Sequence, residues 1–307
     1  MALKRLLILG GTGFIGRHLC LKARDAGYAV TSLSLKQGAG NIPGVRHVYG
    51  DVADPVSLSS ALGDGQFEYV INSSGYIDHR HFNNGGRALI RGHFDGVQNL
   101  IEKLDRNCLI RFVQLGSSDE YGNLPAPQNE DMRECPIAPY SLGKLATTHF
   151  LQMLWRTEAF PAVTIRLFLT YGPGQDRTRF LPQVIMGCLE NKTFPVSDGT
   201  QLRDFCHVGD VSRGILDALA ADKVCGEVIN VGSGVAISIR EVIERVQKLI
   251  GRGNPEFGRI AMRAGENPAL YADIAKARRL LAWAPALTLE AGLEDTINHY
   301  RGHAGTS

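Results

Sequence analysis

Arg5-Leu-Leu-Ile-Leu-Gly10-Gly-Thr-Gly13-Phe-Ile-Gly16 is the stretch on which the reading of this chain turns. Five residues, four of them apolar, run up to Gly10, and apolar residues then recur at helical spacing from Phe14 to Ala26. That order is strand, glycine turn, helix. Glycine suits Gly10, Gly13 and Gly16 because such a turn is tight, its backbone must approach a pyrophosphate closely, and the helix must pack near the strand. The helix N-terminus adds unpaired N–H groups and a partial positive charge. Gly10, Gly13, Phe14, Ile15 and Gly16 are therefore the predicted cradle of a dinucleotide.

Outward from this loop the alternation continues. Strands are expected at Tyr28 to Ser34, Val45 to Tyr49, Tyr69 to Ser73, Leu109 to Leu115 and Ala162 to Phe168, and helices at Pro55 to Leu62, Arg87 to Arg106 and Tyr140 to Glu158. Such alternation predicts an α/β protein with a doubly wound parallel sheet of Rossmann type. After Tyr171-Gly-Pro-Gly174 the segments shorten and prolines punctuate them, which predicts a smaller mixed α/β C-terminal substrate lobe. The expected division is 1–173 plus about 205–233 for the dinucleotide domain, and 174–204 plus 234–307 for the second lobe. There, Ser238 and Glu241 have capping-box spacing before a helix that reaches Ile250, and Ala272 to Leu281 and Leu289 to Tyr300 read as two more helices.

The end of the second strand bears on which dinucleotide is bound. An acid there would accept from the adenosine ribose 2′-hydroxyl and repel a 2′-phosphate. The segment Thr31-Ser-Leu-Ser34-Leu-Lys36 has none, and Ser34 and Lys36 are suited to a 2′-phosphate, so NADP(H) is favoured with NAD(H) as the alternative. Asp51 and Val52, after the third strand, are expected beside the adenine.

Tyr140-Ser-Leu-Gly-Lys144 sets a phenol and an ammonium four residues apart, on one face of a helix. A neighbouring cation favours the ionised phenol and lowers its pKa, making it a usable general acid or base. Ser117 and Ser118, at the end of an intervening strand, complete a catalytic pattern with the glycine loop far upstream.

With these motifs the chain resembles the extended short-chain dehydrogenase/reductases that act on nucleotide sugars. The likeness runs from Gly10–Gly16 through Tyr140 and Lys144, Tyr171-Gly-Pro-Gly174 and Arg203-Asp-Phe-Cys-His-Val-Gly-Asp210 to Asn230-Val-Gly-Ser-Gly234. The resemblance implies that Tyr140 is the acid/base, that Lys144 holds the nicotinamide ribose, and that Ser117 bonds the reacting oxygen. It also implies a nucleoside-diphosphate sugar as partner, with Ser118, Val196, Arg203 and Arg263 as substrate contacts, and a homodimer built from the two long helices. The two arginines suit a diphosphate through their planar donor forks, and Phe194-Pro-Val196 would line the base pocket.

Reduction of a 4-keto sugar, epimerisation and 4,6-dehydration share this scaffold, and Gly116-Ser-Ser-Asp-Glu-Tyr-Gly122 bears on the choice. Asp119 falls where the family's dehydratases carry glutamate; it is one methylene shorter, and a misplacement of about 1 Å costs on the order of a hundredfold in rate. The arrangement resembles 4-keto-6-deoxyhexose reductases more closely. The leading expectation is thus NADPH-dependent reduction of a keto carbon on a nucleotide-linked 6-deoxysugar, with Tyr140 as proton donor. The alternatives are an epimerase or dehydratase that retains NAD and, more remotely, a dinucleotide sensor without catalysis. Departures from the family pattern are Leu169 and His93, each where asparagine is frequent. Glu120 reads equally as a second acid or a structural group. Asp78-His-Arg-His81 reads as a solvated or substrate-facing loop, with no metal site expected.

Composition sets the outer limits. The chain has 307 residues, 44% of them hydrophobic, with 33 Lys plus Arg against 31 Asp plus Glu. That balance excludes a polybasic nucleic-acid binder. Its 35 glycines show no three-residue period, which excludes collagen. Six scattered cysteines without a CxxC pair fit a reducing compartment, and no apolar run is long enough to span a membrane, so a cytoplasmic location is expected.

Overall fold

The computed structural model describes residues 3–36, 41–261 and 265–303. Along the chain the first half runs β1 (Arg5–Leu9), α1 (Phe14–Asp25), β2 (Ala29–Ser34), β3 (Arg46–Tyr49), α2 (Pro55–Leu62), β4 (Tyr69–Asn72), α3 (Gly86–Lys103), β5 (Arg111–Ser117), α4 (Pro139–Glu158) and β6 (Ala162–Leu167). The second half runs β7 (Leu169–Tyr171), α5 (Phe180–Leu189), β8 (Thr193–Pro195), β9 (Leu202–His207), α6 (Val208–Ala220), β10 (Val228–Val231), β11 (Ala236–Ser238), α7 (Ile239–Ile250), β12 (Asn254–Glu256), β13 (Ala269–Leu270), α8 (Ala275–Leu281) and α9 (Leu289–His303).

The main sheet has the order β10-β6-β5-β4-β1-β2-β3, and its pairings are parallel. Burial on both faces explains the near-continuous apolar runs. In β1, Leu6 and Ile8 enter one core with Leu19, Cys20 and Ala23 of α1 and Ile215 of α6, while Leu7 and Leu9 enter the other with Leu58 of α2, Leu100 of α3 and Leu151 of α4. The strand order reverses between β1 and β4, so a crevice opens at their carboxyl ends, where doubly wound sheets bind ligands.

The smaller lobe is built on β9, which pairs antiparallel with β11 and parallel with β7 and β13, beside a short β8–β12 pair. Its core joins α5, α7 and α9 through Ile185, Val242, Ile243 and Leu293. Ser238 caps α7 by accepting from the Glu241 amide at 3.1 Å, and Gly251 ends it in the left-handed conformation.

Several boundaries differ from the sequence reading. β9 extends to His207 in the small sheet, α6 follows directly from Val208, the large sheet is rejoined at β10, and β7 pairs with β9 in the small sheet. The helix expected from Ala272 starts at Ala275, after β13 has paired with β9. Long-range pairing decides both, and local periodicity carries no record of it. Among the described residues, no helix is long and apolar enough to cross a membrane.

Candidate active site

The glycine loop lies at the strand-order reversal. Gly10, at φ +73°, leaves room for β4's exit: a Cβ there would stand 2.8 Å from the Ser73 carbonyl oxygen. A Cβ on Gly16 would stand 2.0 Å from the Gly10 carbonyl oxygen, so loop and helix meet backbone to backbone. Gly13 caps α1 with no side-chain hydrogen bond and no acid follows in the first turn, so the orphan amides remain for an anion. Gly13 is itself exposed, and these features fit a dinucleotide pyrophosphate. Phe14 is half-buried against the His18 ring, whereas Ile15 packs on the core below.

Ser34 is buried, and its Oγ accepts from the Thr12 amide at 3.3 Å and the Thr12 hydroxyl at 3.0 Å, so it braces the glycine loop. Lys36 is exposed beyond it. Asp51 Oδ1 accepts from the Ala53 amide at 2.8 Å, and Val52 packs against Gly96 of α3; both leave β3 on the same sheet edge as the loop.

Tyr140 and Lys144 occupy the first two turns of α4, against the end of β5. Lys144 Nζ donates to the Leu115 carbonyl at 2.9 Å. Ser117, the last residue of β5, lies beside Tyr140, and its Oγ accepts from the Asp119 amide at 3.2 Å. Glu120 is wholly buried and fully engaged by hydrogen bonds. Its Oε1 accepts from the Ser117 amide at 2.8 Å, and its Oε2 accepts from Thr148 at 3.0 Å and from Arg166 Nε at 2.9 Å. Arg166 continues to Glu134 at 2.5 Å and lies 4.7 Å over the Tyr121 ring, so the serine rests on a buried charged network.

Burial and, second, the Asp119 carboxylate push the Tyr140 phenol above its ordinary value, and the hydrogen bond from Ser117 opposes them. The lowering expected from Lys144 does not prevail, because that ammonium is turned to a backbone carbonyl and is itself pushed down to about 8 by burial. His93 borders the phenol, ring centroids 5.1 Å apart, and burial with the Lys144 charge pushes it down to about 3, so it is a neutral wall.

His79, read from the sequence only as part of a solvated or substrate-facing loop, has its ring 6.1 Å from that of Tyr140, and the sequence reading missed Arg179, at the start of α5, whose charge reaches the phenol from the second lobe. The histidine stood in a cluster that could have been followed up; Arg179 carried no motif. Ser118 is buried in the turn after β5. Val196 packs its side chain into the second-lobe core while its carbonyl accepts from the Arg259 and Ile260 amides. Phe194 covers Gly187 of α5. Arg203 donates to the Leu202 and Asn267 carbonyls at 2.7 and 2.9 Å and pairs with Glu266, so an entering phosphate would compete with that carboxylate. Arg263 lies outside the described residues.

Comparison with known proteins agrees with this architecture. The profile of the NAD dependent epimerase/dehydratase family matches residues 6–232, and the chain belongs to that family, whose members include enzymes acting on nucleotide sugars. It is 28% identical over 324 residues to a dTDP-glucose 4,6-dehydratase of Xanthomonas campestris, covering 96% of this chain and 92% of that protein. It is 26% identical over 309 residues to the low-salt glycan biosynthesis protein Agl12 of Haloferax volcanii, covering 97% and 98% of the two chains. Among solved structures, UDP-glucuronic acid 4-epimerase from Bacillus cereus, in complex with UDP-glucuronic acid and NAD, superposes with a TM-score of 0.86 at 27% identity, covering 97% of this chain and 99% of that one.

Proposed function

We propose that the protein oxidises a ring hydroxyl of a nucleoside-diphosphate sugar with retained NAD and returns the hydride within the same catalytic cycle, giving net epimerisation or dehydration. The observation that carries this reading is the placement of Tyr140 and Lys144 one turn apart at the start of α4, against Ser117 at the carboxyl end of β5 in the parallel sheet. Relatives acting on dTDP-glucose and UDP-glucuronic acid support the substrate class, and NAD in the B. cereus complex supports the cofactor.

When bound, NAD supplies the hydride acceptor. Gly10, Gly13 and Gly16 would hold its pyrophosphate, Asp51 and Val52 would border its adenine, and Lys144 would hold its nicotinamide ribose. Tyr140 takes the proton from the sugar hydroxyl as the carbon is oxidised, Ser117 holds that oxygen, and Arg203 with Arg263 receives the diphosphate. Phe194 and Val196 flank the base. Glu120, out of reach of a ligand, fixes the backbone that presents Ser117.

A second reading, NADPH-dependent reduction of a 4-keto-6-deoxysugar, is favoured by the absence of a carboxylate at the end of β2 and by exposed Lys36 beyond it. Asp119 and Ser118 belong to the substrate side in either case. We also infer a homodimer through α3 and α4, where Leu142, Met153 and Trp155 expose apolar surface on α4.

The test is incubation with UDP-glucose, UDP-glucuronic acid and dTDP-glucose, and with a 4-keto-6-deoxy product of the last, following sugar products and free nicotinamide together. Conversion without net cofactor consumption is expected; stoichiometric NADPH consumption with the keto sugar selects the second reading. Tyr140→Phe should lower turnover by about 10²–10⁴-fold with cofactor binding retained. Failure to convert any of these sugars overturns the assignment.

A further inference from the structure

The loop after β4 carries Asp78-His79-Arg80-His81, of which the hydride chemistry above uses none. Asp78 and Arg80 engage each other, with Oδ1 accepting from the Arg80 amide at 2.9 Å and Oδ2 from its Nε at 2.7 Å. His79 is engaged elsewhere. Its Nε2 lies 3.9 Å from Asp119 Oδ2, within ion-pair range, and its ring stands edge-on to Tyr140 at 6.1 Å between centroids. The side chains of His79 and Asp119 keep 45% and 30% of their exposure, whereas Glu120, one residue on, keeps none. An imidazole and a carboxylate thus keep partial exposure beside Tyr140. The Tyr140–Ser117 proton chemistry needs neither, and reduction of a ketone needs one proton donor, which Tyr140 supplies. A second open pair is needed where a further proton moves.

We propose that His79, oriented by Asp119, is a second acid–base group of this site and moves a proton on and off the sugar carbon adjacent to the one that is oxidised. The proposal rests on the hydride-transfer reading above. Once the ring hydroxyl has become a ketone, the C–H bond on the neighbouring carbon is acidified. With Nε2 toward the carboxylate, Nδ1 takes that proton. The C–H bond breaks and an N–H bond forms; the C–H electron pair becomes a carbon–carbon π bond, and the carbonyl π pair moves onto oxygen. Tyr140, already holding the hydroxyl proton, and Ser117 donate hydrogen bonds to that oxygen, while Asp119 stabilises the imidazolium. Return of a proton to the carbon reverses the step without any further oxidant or reductant. Imidazole suits this traffic because one ring nitrogen can accept a proton while the other donates to a carboxylate.

The full-length protein with NAD and UDP-glucose, UDP-glucuronic acid or dTDP-glucose is incubated in D2O, and two signals are read. The reduced-nicotinamide absorbance reports hydride transfer, and mass spectrometry with NMR locates deuterium on the sugar. Wild type should incorporate deuterium at the carbon next to the oxidised one. His79→Gln should lose that incorporation by a hundredfold or more while slowing hydride transfer far less, and Tyr140→Phe should lose both signals. NAD titration of each variant confirms that it is folded. Hydride transfer without deuterium in wild type, or wild-type incorporation in His79→Gln, overturns the proposal and leaves the functional reading standing. Absence of hydride transfer with all three sugars fells that reading and this proposal together.

Discussion

At the residue scale, burial rather than sequence spacing governs the charges around Tyr140. The four-residue interval announces the Tyr140–Lys144 pair, yet it does not reveal that Lys144 faces a carbonyl or that His93 is enclosed beside it. His93 has a measurable consequence. Its folded-state pKa is pushed from 6.5 down to about 3, so between those values the unfolded chain binds a proton that the folded chain refuses. Stability is therefore lost as pH falls from about 6.5 toward 3. Urea midpoints across this window should fall less steeply for His93→Gln than for wild type, and an equal slope would contradict the assignment. Asp119 shows the same limit from another side. Its place in the Ser-Ser-Asp-Glu motif was legible, but its partner His79 stands 40 positions upstream on another loop.

At the element scale, the glycine turn between β1 and α1 is the most completely legible part of the molecule, because its requirements are local. Only backbone fits where Gly16 meets Gly10, whereas Gly13 has a single near neighbour, the Gly10 carbonyl oxygen at 3.1 Å from a built Cβ. Gly16→Ala should therefore cost about 1–3 kcal/mol by overpacking and weaken NAD binding at least tenfold, with Gly13→Ala costing less stability. Thermal unfolding and cofactor titration of the two variants check the order; equal losses would refute a packing origin. The start of α7 was legible for a similar reason, since Ser238 caps an amide three residues away. Short strands were not. β13 exists because Ala269 and Leu270 pair with Leu202 and Arg203, some 67 residues distant.

At the scale of the whole molecule, buried polar groups join the two lobes. Asp204, on β9, is fully buried, and its carboxylate accepts from the amides of Ser233, Gly234 and Ala272, at 2.5, 2.9 and 3.1 Å, binding the turn after β10 and the segment before α8 to the small sheet. Asp204→Ala strands three amides, each costing about 1–3 kcal/mol. Loss of at least about 3 kcal/mol in urea unfolding is expected, and a loss below about 1 kcal/mol would show that the bridge carries little. Asn230 makes a similar join, accepting from the Tyr121 hydroxyl at 2.8 Å and donating to the Asp273 carbonyl at 3.3 Å. By itself, the sequence determined the alternating α/β order, the glycine turn, the placement of Tyr140 and Lys144 on one helix and the second lobe, because periodicity, turn chemistry and helical spacing act between near neighbours. Only the tertiary structure decided that Glu120 supports Ser117 from behind, that burial pushes the pKa values of Lys144 and His93 down, that β9 belongs to the small sheet, and that His79 meets Asp119. Each depends on desolvation or on pairing between distant segments, and those quantities exist only once the chain has closed around them.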